Sequence, residues 1–199
     1  MRKAVDPEFP QSKELAILEV GSGPVGIVSF LDGKRRVAVD PLCDYYSTES
    51  SLIAHRDPGV TYVNASGEEL AFDAESFDLV ILDNVIDHVR NHHRVMSRIH
   101  DLLMPKGILY FTVNLHPLWG SLIHRLLAVT AVDPGHPHTF TLEQVRKFLT
   151  EHNFESCHEE WEDYKERCEC DRRSGSLKAR IKGWTGLSAF LYTSVALRK

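Results

Sequence analysis

The chain has 199 residues, is 43% hydrophobic and carries a formal net charge of −5 with a pI near 6.1. That length and apolar content suffice to bury one core and predict a single domain. The acidic balance argues against broad charge-driven nucleic-acid binding, no apolar run approaches the ~20 residues that span a bilayer, and no signal-peptide h-region opens the sequence. Cys43, Cys157, Cys168 and Cys170 form neither a C-x-x-C pair nor a disulfide framework, so a cytoplasmic protein is expected.

Residues 1–14 are polar, contain Pro7 and Pro10, and read as an N-terminal arm, leaving 15–199 as the domain. Ala16–Val20 is a continuous apolar run of the kind found in a parallel strand covered on both faces. Glycines follow, and Val25–Leu31 reads as a short helix with Pro24 in its first turn. Val37–Val39 is the second strand, 45–56 a weak helix, and Val60–Asn64 the third strand. Phe77–Leu82 is the second strong apolar run and should be a central strand. Val95, Ile99, Leu102 and Leu103 recur at helical spacing, so Asn91–Leu103 is a helix ending near Met104-Pro105-Lys106-Gly107. Ile108–Val113 is the next buried strand.

The second half is less regular. Leu118–Val132 is apolar and partly helical, up to Pro134-Gly135-His136-Pro137. Thr141 is a good N-cap for a helix over Leu142–His152. Phe154–Glu160 reads as a strand, Lys165–Lys182 as charged and irregular, and Ala189–Leu197 as the closing strand. Strand–helix–strand order, repeated, predicts an α/β doubly wound, Rossmann-like sheet of about seven strands.

The chemistry is concentrated in Glu19-Val20-Gly21-Ser22-Gly23-Pro24-Val25-Gly26 and in Asp40, which ends the second strand. Gly21-x-Gly23-x-x-Gly26 with an acid about 20 residues on matches the dinucleotide fingerprint, although glycine clusters after strands also make plain turns. Asp40 could instead merely cap the loop before Pro41. Glu19 separates the cofactors. A carboxylate two residues before the first glycine disfavours a pyrophosphate and suits a ligand bearing a sulfonium and an ammonium group.

Glu19-x-Gly21-x-Gly23, Asp40, Gly67-Glu68-Glu69-Leu70-Ala71-Phe72, the run Phe77–Val89 and the turn Leu103–Gly107 follow one another in order. Over about 15–115 this resembles the class I S-adenosylmethionine-dependent methyltransferases, more narrowly their type 11 small-molecule branch. The resemblance implies a mostly parallel sheet whose last strand is antiparallel, with S-adenosylmethionine as cofactor. It places Glu19 at the loop and the methionine end, Gly21 and Gly23 where backbone meets the cofactor, and Asp40 on both ribose hydroxyls. Ser66 and Gly67 fall at the adenine edge. Asp83 and Asn84 stand after the fourth strand, where the methyl is transferred, though both are also ordinary turn residues.

A sulfonium methyl is already electrophilic, so the protein need only align a nucleophile and exclude water. An oxygen nucleophile wants a base, and His88, His116, His136 and His138 are the candidates, with a structural role as the alternative for His88. His136-x-His138 lacks a carboxylate at metal-ligand spacing, so no metal is expected. Selectivity should lie in two insertions. One is 115–137, where Leu118, Trp119, Leu122, Ile123, Leu126 and Leu127 either cover a pocket or pack on the sheet. The other is 164–187, where Arg167, Arg172, Arg173, Lys178, Arg180 and Lys182 either attract an acidic group or form a solvated face. No Asn/Asp-Pro-Pro-Tyr-type motif follows the fourth strand, which removes the usual argument for methylating nucleic-acid bases. The expected partner is therefore a small molecule. A nicotinamide-dependent oxidoreductase and a non-catalytic methyltransferase-like binding protein are the competing readings.

Overall fold

The computed structural model describes residues 13–119 and 138–199. Most of the N-terminal arm, His136 and all of the 115–137 insertion after Trp119 lie outside the described residues.

β1 (Ala16–Val20) is buried at every position. It pairs in parallel with β2 (Arg35–Asp40) on one side and β4 (Phe77–Asp83) on the other, so that Leu18 lies opposite both Val37 and Val80. β3 (Thr61–Asn64) extends the sheet beyond β2, and β5 (Leu103–Leu115) extends it beyond β4, again in parallel. β7 (Phe190–Arg198) runs antiparallel to β5, and β6 (Phe154–Trp161) pairs antiparallel with β7. The order is β3-β2-β1-β4-β5-β7-β6. The chain winds outward from β1 through β2 to β3, then returns to start the other half at β4. The carboxyl ends of β1 and β4 therefore flank the crevice where such sheets take ligands.

Period-two alternation sends Leu18, Val20, Val80, Leu82, Phe111 and Val113 to one face. There they meet α3 (His92–Leu102) and α4 (Leu142–Glu151), whose Val95, Met96, Ile99, Val145, Phe148 and Leu149 are buried at helical spacing. Ile17, Leu79, Ile81, Tyr110 and Val195 form a smaller cluster on the other face with Val28. Both helices start on side-chain caps. Asn91 Oδ1 accepts the Arg94 N–H at 3.0 Å, and Thr141 with Gln144 forms a capping box.

Three expected elements differ. Val25–Leu31 is not an α-helix but a single 3₁₀ turn, Ile27–Phe30, because Gly26 enters it at φ +81° and the Ile27 and Val28 amides bond to Glu19 instead. The 45–56 stretch likewise breaks into two short pieces, α1 (Cys43–Ser47) and α2 (Ser50–Ile53). The charged stretch expected to be irregular is a helical hairpin, α5 (Tyr164–Arg172) and α6 (Leu177–Thr185). Its apolar periodicity is weak, so it escapes a pattern search. Side-chain caps at Asp163 and Ser176 and the Arg167–Asp171 pair at i, i+4 supply the local signal instead. Gly183 lets the hairpin close, since a Cβ there would stand 2.6 Å from the Cys168 carbonyl oxygen.

Candidate functional site

The glycine turn is pinned before any ligand arrives. The Gly21 and Ser22 N–H groups donate to the Val39 carbonyl at 2.7 and 3.1 Å, tying the turn to the end of β2. On its far side the Arg56 guanidinium donates to the Pro24 carbonyl at 2.7 Å and the Tyr62 hydroxyl to that of Val25 at 3.0 Å. Gly21 adopts φ +74°, and a Cβ there would lie 2.3 Å from Val85 Cγ2, so the loops after β1 and β4 touch through the missing side chain. Gly23, at φ +62°, is different: its absent Cβ faces open space, where a ligand can meet bare backbone.

Asp40 organises the same turn. Its Oδ2 accepts the Gly23 N–H at 2.9 Å and its Oδ1 the Leu42 N–H at 2.8 Å, and the residue is 8% exposed. An ionised carboxylate offers about four lone-pair sites. Two are spent on backbone, leaving two for a diol.

Glu19 sets the loop, as the resemblance implied, and its carboxylate is turned into that loop. Its oxygens accept the Ile27 and Val28 N–H groups at 3.0 and 2.8 Å, with the residue 2% exposed. It shapes the 3₁₀ turn from within, and any influence on a ligand is by field rather than contact. Burial pushes its carboxyl up from 4.5 to about 7, the two backbone bonds pull it down, and the charges of Asp83 and Asp40 push it up again. Between these values the native state keeps a proton that the unfolded chain has lost. The stabilising contribution is therefore complete below pH 4.5 and lost as pH rises through 7, a swing of about 3 kcal/mol. His92 opposes it. Burial, then the charges of His138, His93 and His152, push its imidazole down to about 4, so its contribution holds above 6.5 and is lost as pH falls through 4. Comparison with Glu19→Gln removes the opposing term. In urea titrations the stability of the native protein relative to this variant should fall by roughly 2–3 kcal/mol between pH 5 and pH 8. A constant difference refutes a buried, proton-holding acid.

Asp83 and Asn84 stand at the carboxyl end of β4, each fixed by a polar residue of β5. The Thr112 hydroxyl donates to Asp83 Oδ1, and Asn114 Nδ2 donates to Asn84 Oδ1 at 2.7 Å. Asn84 takes the left-handed conformation at φ +55°, which asparagine tolerates better than most residues. Sequence reasoning passed over Thr112 and Asn114. The signal was there, two polar residues alternating in an otherwise apolar strand end. Ser66 and Gly67 follow β3, and Gly67 is packed so tightly that a Cβ would lie 3.2 Å from Val20 Cγ1. Glu68 locks this turn to α3 by accepting the Arg90 and Asn91 N–H groups at 2.9 and 3.1 Å. All eight expected cofactor residues thus gather at the carboxyl ends of β1 to β4 and in the loops after them.

Beside this crevice lies a cavity of about 590 Å³. Its sheet side is formed by Asp87, Asn114, His116 and His138, and its opposite wall includes Arg167, Lys178 and Lys182 of the hairpin. His116 and His138 come together because Phe140 lies in a parallel bridge beside Leu115 at the end of β5, where the His116 N–H donates to the Phe140 carbonyl at 2.8 Å. His138 Nε2 donates to the Val89 carbonyl at 3.0 Å, which leaves Nδ1 as the basic nitrogen of the neutral ring. His88 is not among the lining residues and lies against Asp87, Nε2 to Oδ1 3.8 Å. Among the described residues no group of three or more His, Cys, Asp or Glu side chains is placed to hold a metal ion, and no helix is long and apolar enough to cross a membrane.

Comparison with known proteins places this geometry. Residues 18–111 match a family described as a methyltransferase domain. The chain is 35% identical over 111 residues to an uncharacterized methyltransferase of Mycobacteroides abscessus, the match covering 52% of this chain and 42% of that protein. It is 30% identical over 113 residues to a ubiquinone biosynthesis O-methyltransferase of Rickettsia bellii, covering 55% and 47%. The match thus spans less than half the length of either curated relative. Among solved structures, an S-adenosylmethionine-dependent methyltransferase from Mesorhizobium loti superposes with a TM-score of 0.68 at 20% identity, covering 98% of this chain and 96% of the other. At that identity the likeness is one of fold.

Proposed function

We propose that this chain, whose residues 18–111 match a methyltransferase domain, is a class I S-adenosylmethionine-dependent methyltransferase that transfers a methyl group to a small-molecule acceptor. The observation that carries the reading is Asp40, a buried carboxylate whose two remaining acceptor sites suit a ribose diol, beside the open backbone of Gly23. The charges of Asp83 and Asp40 also disfavour a negative charge on Glu19 at the base of the crevice, and a cationic ligand relieves that repulsion. The residues present fit the cofactor.

The cofactor supplies an electrophilic methyl group on a sulfonium. The protein supplies the frame. Asp40 would accept from the ribose hydroxyls, Gly23 would admit the ligand to bare backbone while Gly21 packs the turn against Val85, and Ser66 with Gly67 would border the adenine. Asp83 and Asn84, held by Thr112 and Asn114, would form the floor between cofactor and acceptor. The cavity beyond Asn114 holds the acceptor and limits the water around it. His116 and His138 are the bases within reach of an acceptor hydroxyl; His88 takes its place behind them, against Asp87. We assign 15–199 to one methyl-transfer unit with the hairpin at 164–187 as its acceptor wall. The four thiols, all free, support a reducing cytoplasm as its setting.

Calorimetry tests the reading. S-adenosylhomocysteine should bind and NADH should not. NADH binding in its place restores the oxidoreductase, and binding of neither leaves a non-catalytic relative.

A further inference from the structure

The cavity lining carries three cations, Arg167, Lys178 and Lys182, and three carboxylates, Asp87, Glu162 and Asp171, but the carboxylates are not spent on the two lysines. Asp171 is committed to Arg167 in an ion pair of 3.2 Å. Glu162 accepts the Leu191 N–H at 3.1 Å, and Asp87 lies 3.8 Å from the His88 ring. Lys178 and Lys182 also line the cavity, and among the described residues neither has a carboxylate within ion-pair distance. They stand at i, i+4 on α6, on one face, where like charges repel. The amino end of α6, capped by Ser176 accepting the Ala179 N–H at 3.4 Å, belongs to the same wall and adds its partial positive charge. Lys182 is half-buried, so its ammonium is less screened than one in open water.

We propose that the methyl acceptor carries an anionic group, a phosphate ester or a carboxylate, seated by Lys178, Lys182 and the amino end of α6. The proposal rests on the methyl-transfer reading and names the substrate class for that site. An anion there relieves the repulsion between the two ammoniums and forms charge-assisted bonds with both. It also orients the acceptor. With its charged end on the hairpin, the rest of the molecule extends toward Asp87, His116, His138 and Asn114, and Asn114 is the residue bonded to Asn84 at the cofactor floor.

The test is a titration of the full chain at low salt, with and without S-adenosylhomocysteine, followed by amide shifts in ¹H–¹⁵N spectra. The probes are inorganic phosphate, acetate and, as a neutral control, glycerol. At least one anion should saturate with shifts centred on 176–182 and 114–116, and glycerol should not. The double variant Lys178→Gln/Lys182→Gln should weaken that binding by about tenfold or more, while Lys147→Gln, remote on α4 and paired with Glu151, should leave it unchanged. Tighter binding of phosphate identifies a phosphate ester, and tighter binding of acetate a carboxylate. Shifts scattered over surface lysines, no saturable anion binding, or equal binding by the double variant overturns the proposal. If an anion binds and S-adenosylhomocysteine does not, the methyl-transfer reading fails and the anion is no acceptor. If only S-adenosylhomocysteine binds, that reading stands and the anionic acceptor is refuted.

Discussion

Gly21→Ala should abolish measurable S-adenosylhomocysteine binding and lower the melting temperature. Two costs combine. The left-handed backbone at φ +74° penalises any Cβ by ~1–2 kcal/mol, and the added atom would stand 2.3 Å from Val85 Cγ2. Overpacking of that kind typically costs a further ~1–3 kcal/mol. A total of about 3 kcal/mol corresponds to a drop of roughly 6–12 °C in a domain of this size. Relaxation must separate the loop after β1 from the loop after β4, which are the two walls of the cofactor crevice. A second variant isolates the steric part: Val85→Ala, made together with Gly21→Ala, should recover part of the melting temperature. If Gly21→Ala melts and binds as the native protein does, the contact between these loops is not what holds the crevice.

Asp40→Ala should weaken S-adenosylhomocysteine binding by more than tenfold. Hydrogen bonds to a charged acceptor are worth ~1.5–3 kcal/mol each, so full loss of two sets an upper scale of about two to four orders of magnitude. The same substitution strips an acceptor from the Gly23 and Leu42 amides, so a stability loss is expected as well. Asp40→Asn separates the two effects. Its oxygen can keep one amide while its NH₂ group cannot accept from a hydroxyl, so it should lose affinity with a smaller loss of stability. Unchanged affinity in both variants, measured by calorimetry on folded protein, removes the ribose assignment.

The frame of the fold was readable because it rests on local patterns. Ala16–Val20 and Phe77–Leu82 are mostly apolar runs, and they lie in the buried central strands β1 and β4. The spacing of Val95 and Ile99, and Thr141 ahead of Val145 and Phe148, marked α3 and α4 to within a residue or two. The hairpin of α5 and α6 was missed since its stability comes from caps, charge pairs and a close approach at Gly183. The 3₁₀ turn was missed because the bonds that shorten it come from Glu19, eight and nine residues back along the chain.

The sequence by itself determined the order of the strands along the chain, the glycine turn, and the acids that border it. These follow from periodicity, backbone freedom and charge, all of which act between near neighbours. The tertiary structure decided where those groups point. Glu19 was read as facing a cation and is turned into its own loop; Asn114 and Thr112 reach across 30 and 29 residues to set Asn84 and Asp83. Lys178 and Lys182 were one part of a charged stretch until the hairpin brought them to the cavity beside His116 and His138. Pairings of that range depend on which strands adjoin and which loops meet at the crevice, and no local pattern encodes them.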